Sequence, residues 1–131
     1  ISDVYLEANE FGKAIRWADK AISLDGETGT GFGQKGKVYY YGWDNFRQNP
    51  FTIDDRIVAK LAYNYFVKAE AKGYRGFSKR VWMEENSKDI LYGKAQWFMA
   101  EAKVKRARSI SPVSADYDWV TELLKAESNW K

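Results

Sequence analysis

Gly31-Phe32-Gly33-Gln34-Lys35-Gly36-Lys37-Val38 is the stretch whose spacing points most directly to chemistry. It satisfies the G-x-G-x-x-G string of dinucleotide-binding turns and the longer string of protein-kinase phosphate loops. Glycines serve there because bare backbone amides must curl around phosphate, with a strand before them. Here the preceding residues carry a helical stripe that stops at Leu24-Asp25-Gly26. Val58-Ala59-Lys60 loosely echoes the kinase lysine but lies inside a helical ladder, and no Asp-Phe-Gly follows. The glycine stretch therefore reads as a flexible interhelical linker, and no cofactor is expected.

Paired carboxylates are the second candidate chemistry. Asp54-Asp55 and Glu84-Glu85 are adjacent acids, and acids flanking a cleft hydrolyse glycosides. Neighbouring residues on a helix point in different directions, so neither pair is a dyad by itself. Asp54 and Asp55 are better placed to face the positive end of a helix. With no cysteine and no histidine, the chain has no disulfide framework, thiolate zinc site, Ser-His-Asp triad or His-ligated metal site. Lys103, Lys105, Arg106 and Arg108 close a predicted helix, where cations suit the dipole. A net charge of +3, spread along the chain, does not argue for nucleic acid.

Aromatic residues make up 17% of the chain, and Tyr39, Tyr40, Tyr41, Trp43, Phe46 and Phe51 cluster. Tyrosine and tryptophan lining a groove suit capture of a peptide or a carbohydrate, because they give large contact area with a polar handle. The competing reading is a loop that folds over a bare helix for purely structural reasons.

The elements that must position these residues read as helices. Phe11, Ala14, Ile15, Ala18, Ala21, Ile22 and Leu24 recur at steps of three and four. Val4, Tyr5 and Ala8 belong to an earlier helix, and Asn9-Glu10 is the turn between the two. A short helix is expected around Val38 and Tyr39, then a loop from Gly42 to Pro50. Thr52 caps a long helix to about Lys72, with Asp55 reaching back to the free amides and a stripe from Ile57 to Ala69. Phe77, Val81 and Trp82 predict a shorter helix, and Ser87 starts another that runs to about Ser109. Tyr117, Val120, Leu123, Leu124 and Trp130 predict a last amphipathic helix over Ser114 to Lys131. No run reads convincingly as strand. No apolar run is long enough to span a bilayer.

An internal repeat is visible. Val4-Tyr5 recurs 34 residues later as Val38-Tyr39. A small, large-or-small, small set spaced four and three apart occurs three times, as Ala14-Ala18-Ala21, Ala62-Phe66-Ala69 and Ala95-Met99-Ala102. The stretch from Val4 to Ile15, with Gly36 and Tyr39 in the following unit, resembles the tetratricopeptide repeat, a helix-turn-helix unit of 34 residues. The likeness is strong over residues 1–39 and fair over 57–70. It departs from the family at Gly26, where a proline usually closes a unit, and in the 48 residues that separate Ala14 from Ala62. The third unit's first helix lacks the glycine and tyrosine.

The resemblance implies an all-α, right-handed α-solenoid of antiparallel helix pairs, a single domain over residues 1–131, here closed by a C-terminal capping helix. It sets Ile1 inside a first helix, so a fragment of a longer chain is expected. The implied function is non-enzymatic protein–protein interaction, a partner protein or peptide segment lying on the concave face. Lys37, Tyr40, Tyr41 and Trp43 are the expected partner-binding residues. Asp3 and Lys37 fall at corresponding groove positions, but the full basic set of the family's carboxylate clamp is absent. The alternative is a carbohydrate- or cell-surface-binding helical module of an outer-membrane or periplasmic assembly.

Overall fold

The computed structural model describes residues 1–130, and its fold is mostly helical, in keeping with an all-α chain. Four helices form the frame: α1 (Ser2–Glu7), α2 (Phe11–Leu24), α3 (Thr30–Phe46) and α4 (Ile53–Ala71). Each packs on its sequence neighbours, and α1 also touches α3. The direction of packing follows from the partners. As α3 advances from Gly31 to Lys35 to Gly42, its neighbours on α2 retreat from Ile22 to Asp19 to Phe11. Those two helices are antiparallel.

The glycine stretch is a correction to the linker expectation, because Gly31, Gly33 and Gly36 all lie inside α3. Their value is close approach. A Cβ on Gly36 would sit 2.8 Å from the Phe66 ring of α4, and one on Gly31 would sit 2.8 Å from Ile22 of α2. Carbon atoms repel steeply at this range, so only glycine lets the neighbouring helices pack this close without a shift. The loop expected from Gly42 is likewise helix up to Phe46.

The start of α4 follows local chemistry. Thr52 Oγ1 accepts from the Asp55 N–H at 3.0 Å, and Asp55 Oδ2 accepts from the Thr52 N–H at 3.0 Å. This reciprocal cap satisfies two of the amides that a helix start leaves free. From there Ile57, Val58, Leu61, Ala62, Phe66 and Ala69 run into the core.

Beyond Ala71 the helices are short: α5 (Arg80–Glu85), α6 (Ser87–Ile90), α7 (Lys94–Phe98) and α8 (Ala102–Ala107). The single helix expected from Ser87 to about Ser109 is broken into the last three. The backbone is extended at Leu91, Gly93 and Glu101, and Arg108 adopts a left-handed conformation (φ 57°) that ends α8. The break after α6 is held by α4: Tyr92 N–H donates to the Arg56 carbonyl at 3.1 Å, and the Arg56 guanidinium donates to the Leu91 carbonyl at 3.0 Å.

The C-terminal capping helix is also corrected. Residues 114–130 form a 3₁₀ turn (Ala115–Tyr117) and an irregular strap of turns and bends that contains a short strand, and Lys131 lies outside the described residues. That strand, β2 (Leu124–Lys125), pairs antiparallel with β1 (Ser109–Ile110). The helical spacing is overridden because the strap's polar groups find distant partners. Asp54 Oδ2 takes the N–H groups of Val113 (3.1 Å) and Ser114 (2.7 Å), and Asp55 Oδ1 takes the Tyr117 hydroxyl at 2.6 Å. Trp119 lies on Phe11 and Tyr39, and Trp130 on Tyr92 and Trp97. No described helix is long and apolar enough to cross a membrane.

Candidate functional site

Lys37 and Tyr41 stand one helical turn apart on α3 and line one groove of ≈ 490 Å³ with Asp3, Leu6, Glu7 and Asp44. Lys37 Nζ reaches Asp3 Oδ1 at 3.1 Å, and Gln34 Nε2 donates to the same oxygen at 2.9 Å. Those two bonds, Gln34's first and then that of Lys37, hold the Asp3 carboxyl below its usual range. The groove wall therefore carries a fixed ion pair with an aromatic ring beside it.

The aromatic surface continues away from the groove. The Tyr41 ring stacks on Phe77 with centroids 5.3 Å apart. Tyr40 is half-buried among Trp43 (5.7 Å), Phe77 (5.8 Å) and Trp82 (6.4 Å). Lys79 Nζ lies 5.7 Å from the Tyr40 ring and 6.0 Å from the rings of Phe77 and Trp82, and Lys37 Nζ 5.7 Å from Phe77. Cations at these distances are held by the ring quadrupole. Tyr41 and Trp82 are exposed, at 39% and 41%.

Of the four residues expected to bind a partner, Lys37, Tyr40 and Tyr41 share this surface. Trp43 does not. It is 1% exposed, packs on Phe51 at 5.6 Å, and has the Arg47 guanidinium 5.1 Å over its ring. Its place on α3 turns it inward among core side chains, so its part in contact with a partner is corrected to a part in packing. Phe77, Lys79 and Trp82 were missed. No periodicity links residue 40 to residue 77; the length of α4 and the turn at Gly73 bring them together.

A second constellation centres on the buried Lys35. Lys35 Nζ meets Asp19 Oδ1 at 2.6 Å and Glu122 Oε1 at 3.0 Å. Glu122 also accepts from the hydroxyls of Tyr39 and Tyr65, the latter at 2.7 Å. Burial works against the Glu122 charge, but the donors outweigh it and its carboxyl titrates below the usual glutamate range. Burial and the bond to Glu122 push the Tyr65 hydroxyl up to about 12, and the Lys35 ammonium is also raised, its two carboxylates overcoming desolvation. The donors stay protonated at neutral pH, so the group is a clasp of one ammonium, two carboxylates and two neutral hydroxyls, with net charge −1.

In the two adjacent acid pairs, Asp54 and Asp55 serve the strap and the cap, and Glu84 bonds Arg80 at 2.7 Å and Tyr63 at 3.0 Å. Among the described residues no His, Cys, Asp or Glu group is arranged to hold a metal ion.

Comparison with known proteins leaves this geometry to speak for itself. No family model, no curated protein and no solved structure matches the chain.

Proposed function

We propose that the chain is a tetratricopeptide-type segment of a right-handed α-solenoid, a non-enzymatic scaffold that binds a segment of a partner protein on the face made by α1 and α3. The observation that carries this reading is the Asp3–Lys37 ion pair, formed between side chains 34 residues apart. In a stack of helix-turn-helix units of that length, equivalent first-helix positions become neighbours. The antiparallel fit of α3 against α2 and the burial of Ala14, Ala18, Ala62 and Ala69 support the same architecture. The face offers exposed aromatic rings, a half-buried lysine pair and the carboxylates of Asp3, Glu7 and Asp44, a surface suited to a peptide with apolar anchors.

Exposed rings of Tyr41 and Trp82, with carboxylates on the adjoining groove, also favour a second reading, a sugar stacked on the rings. The two are separated by one protocol. Partners are captured on immobilised protein and identified by mass spectrometry, and the same protein is screened on a glycan array. Tyr41→Ala with Lys37→Ala is then compared with the wild type. The scaffold reading expects capture of a protein to be lost while helicity by circular dichroism is unchanged. Loss of helicity would place these residues in the core and sink the site. Array hits abolished by Tyr41→Ala, with no protein captured, would establish the second reading.

A further inference from the structure

Ile110 and Leu124 are partners in the β1–β2 ribbon, so residues 111–123 leave and return at one place and form a closed loop. The loop carries its own backbone bonds. Tyr117 N–H donates to the Ser114 carbonyl at 3.1 Å, Asp118 N–H to that of Ala115 at 3.2 Å and Val120 N–H to that of Tyr117 at 3.0 Å. The Trp119 indole N–H is spent inside the loop as well, on the Asp116 carbonyl at 2.8 Å. Among the described residues no backbone–backbone hydrogen bond joins the loop to the frame. It is tied down through side chains: Asp54 takes the amides of Val113 and Ser114, Asp55 takes the Tyr117 hydroxyl, and Glu122 meets Lys35, Tyr39 and Tyr65. Such a loop leaves the frame without losing its own structure, and attachments of this kind lie at the low end of local stability.

What the loop covers is held in shape without it. Lys35, 7% exposed, and Tyr39 stand one turn apart on α3, with Tyr65 facing them from α4. Lys35 Nζ is fixed by Asp19 of α2 at 2.6 Å and lies 4.8 Å from the Tyr65 ring, and the Tyr39 and Tyr65 rings stack at 5.9 Å. None of these contacts uses the loop, so three donors still converge on one point when Glu122 leaves. Beside that point is a slot for a ring. Phe11 and Tyr39 lie against Trp119 at 5.2 and 5.9 Å, and a Cβ on Gly42 would run into the indole. Tyr39 serves both places, its ring against the indole and its hydroxyl on the carboxylate. The groups recognised are therefore an aromatic ring and an acid three residues after it. We propose that residues 111–123 are a lid that swings on the β1–β2 ribbon, and that the uncovered socket binds a partner-protein segment with this same spacing of a tryptophan and a carboxylate. The lid is that segment's competitor within the chain. Lys35, Tyr39 and Gly42 lie on the side of α3 turned away from Lys37 and Tyr41, so this site is independent of the α1–α3 face.

The test uses the whole chain and a fluorescein-labelled peptide, Ala-Asp-Tyr-Asp-Trp-Val-Thr-Glu-Leu, the sequence of residues 115–123, read by anisotropy. The double variant Trp119→Ala, Glu122→Ala frees the socket and should bind the peptide saturably. The wild type, whose tethered lid competes at high effective concentration, should bind at least about tenfold more weakly. Replacing the peptide's glutamate by glutamine, or its tryptophan by alanine, should each weaken binding about tenfold. If the double variant loses its helicity by circular dichroism, Glu122→Gln is the milder opening used in its place. Hydrogen exchange tests the lid in the wild type. The Val113 and Ser114 amides, bonded to Asp54, should exchange at least about a hundredfold faster than the core amides of α4, because the lid opens while α4 stays folded. Equal protection of the two sets overturns the lid. No binding to a folded open chain, or equal binding of the three peptides, overturns the socket. Self-association in analytical ultracentrifugation that the peptide dissolves would put a second copy's lid in the socket and overturn the partner.

Discussion

In α2, α3 and α4 small and apolar residues mesh along whole helices, and the cross-connections are mostly packing. After Ala71 no described helix exceeds six residues, and the chain is fixed by isolated buried side chains, Met83, Trp97, Tyr117 and Trp130 among them, together with single polar bonds back to the frame. The first region is held along continuous helix faces, the second by separate points of attachment. Asp54, Asp55, Glu122 and Arg56 are the polar points, and each serves a segment more than 30 positions away. A region held along continuous faces loses stability in proportion to the volume removed. A region held at points should come loose when one point is cut. The comparison can be broken or sharpened by four measurements.

The largest effect belongs to the frame. Trp43→Ala should cost roughly 3–5 kcal/mol, as removal of a buried aromatic does. The readout is the urea midpoint followed by circular dichroism. A cost of a few tenths would return Trp43 to the surface and to the partner-binding set. Next comes Asp55→Ala, which removes the acceptor for Thr52 N–H, Gln48 N–H and the Tyr117 hydroxyl at one stroke. Leaving those donors unpaired should cost about 3 kcal/mol. Asp55→Asn should not rescue it, since an amide turns a donor toward donors. Because Tyr117 belongs to the strap, the variant should also open residues 111–130 to limited proteolysis before α4 melts. Simultaneous loss of both would show one cooperative unit rather than two kinds of region.

Sequence patterns foretold these regions unequally, and for a physical reason. The Thr52–Asp55 cap is local, so a window of four residues suffices to predict it. The stripes of α2 and α4 are local too, and they are confirmed in helices with partners along their length. The strap is not local. Tyr117 with Asp55, and Glu122 with Tyr39 and Tyr65, join residues 57 to 83 apart. Nothing in the spacing of Tyr117, Val120 and Leu123 records that these bonds compete with a helix, and they win because each satisfies a buried polar group. The candidate site divides the same way. Lys37 and Tyr41 are singled out by the repeat resemblance, even though the glycines before them read as a linker, whereas Phe77, Lys79 and Trp82 arrive from beyond α4.

Glu122 gives the third measurement, with a sign fixed by its environment. Its folded-state carboxyl titrates below the usual range, so its stabilisation is complete above the unfolded value. That stabilisation is lost as pH falls through the folded one. Thermal stability of the wild type should therefore decline below about pH 5, while Glu122→Gln, about 1–2 kcal/mol less stable at neutral pH, should show a flatter decline. A parallel decline in both would assign the acid sensitivity elsewhere, Asp3 being the next carboxyl with a lowered value.

The smallest effect is the sharpest test of the difference between the regions. Phe66 and Met99 occupy the same middle position in two copies of one spacing, Ala62-Phe66-Ala69 and Ala95-Met99-Ala102. In the first copy all three side chains are buried; in the second all three are exposed. The residue types are nearly the same, so the fate of the pattern was decided by what lies opposite it. α4 has α3 along its length, whereas the second copy is interrupted at Phe98 and resumes in α8. Met99→Ala should thus change the urea midpoint by no more than about 0.5 kcal/mol, the range of surface substitutions, while Phe66→Ala should cost about 3–5 kcal/mol. If Met99→Ala is instead costly in the free protein, the groove it borders is a packed part of the core, and the two copies of the spacing differ in partner rather than in burial.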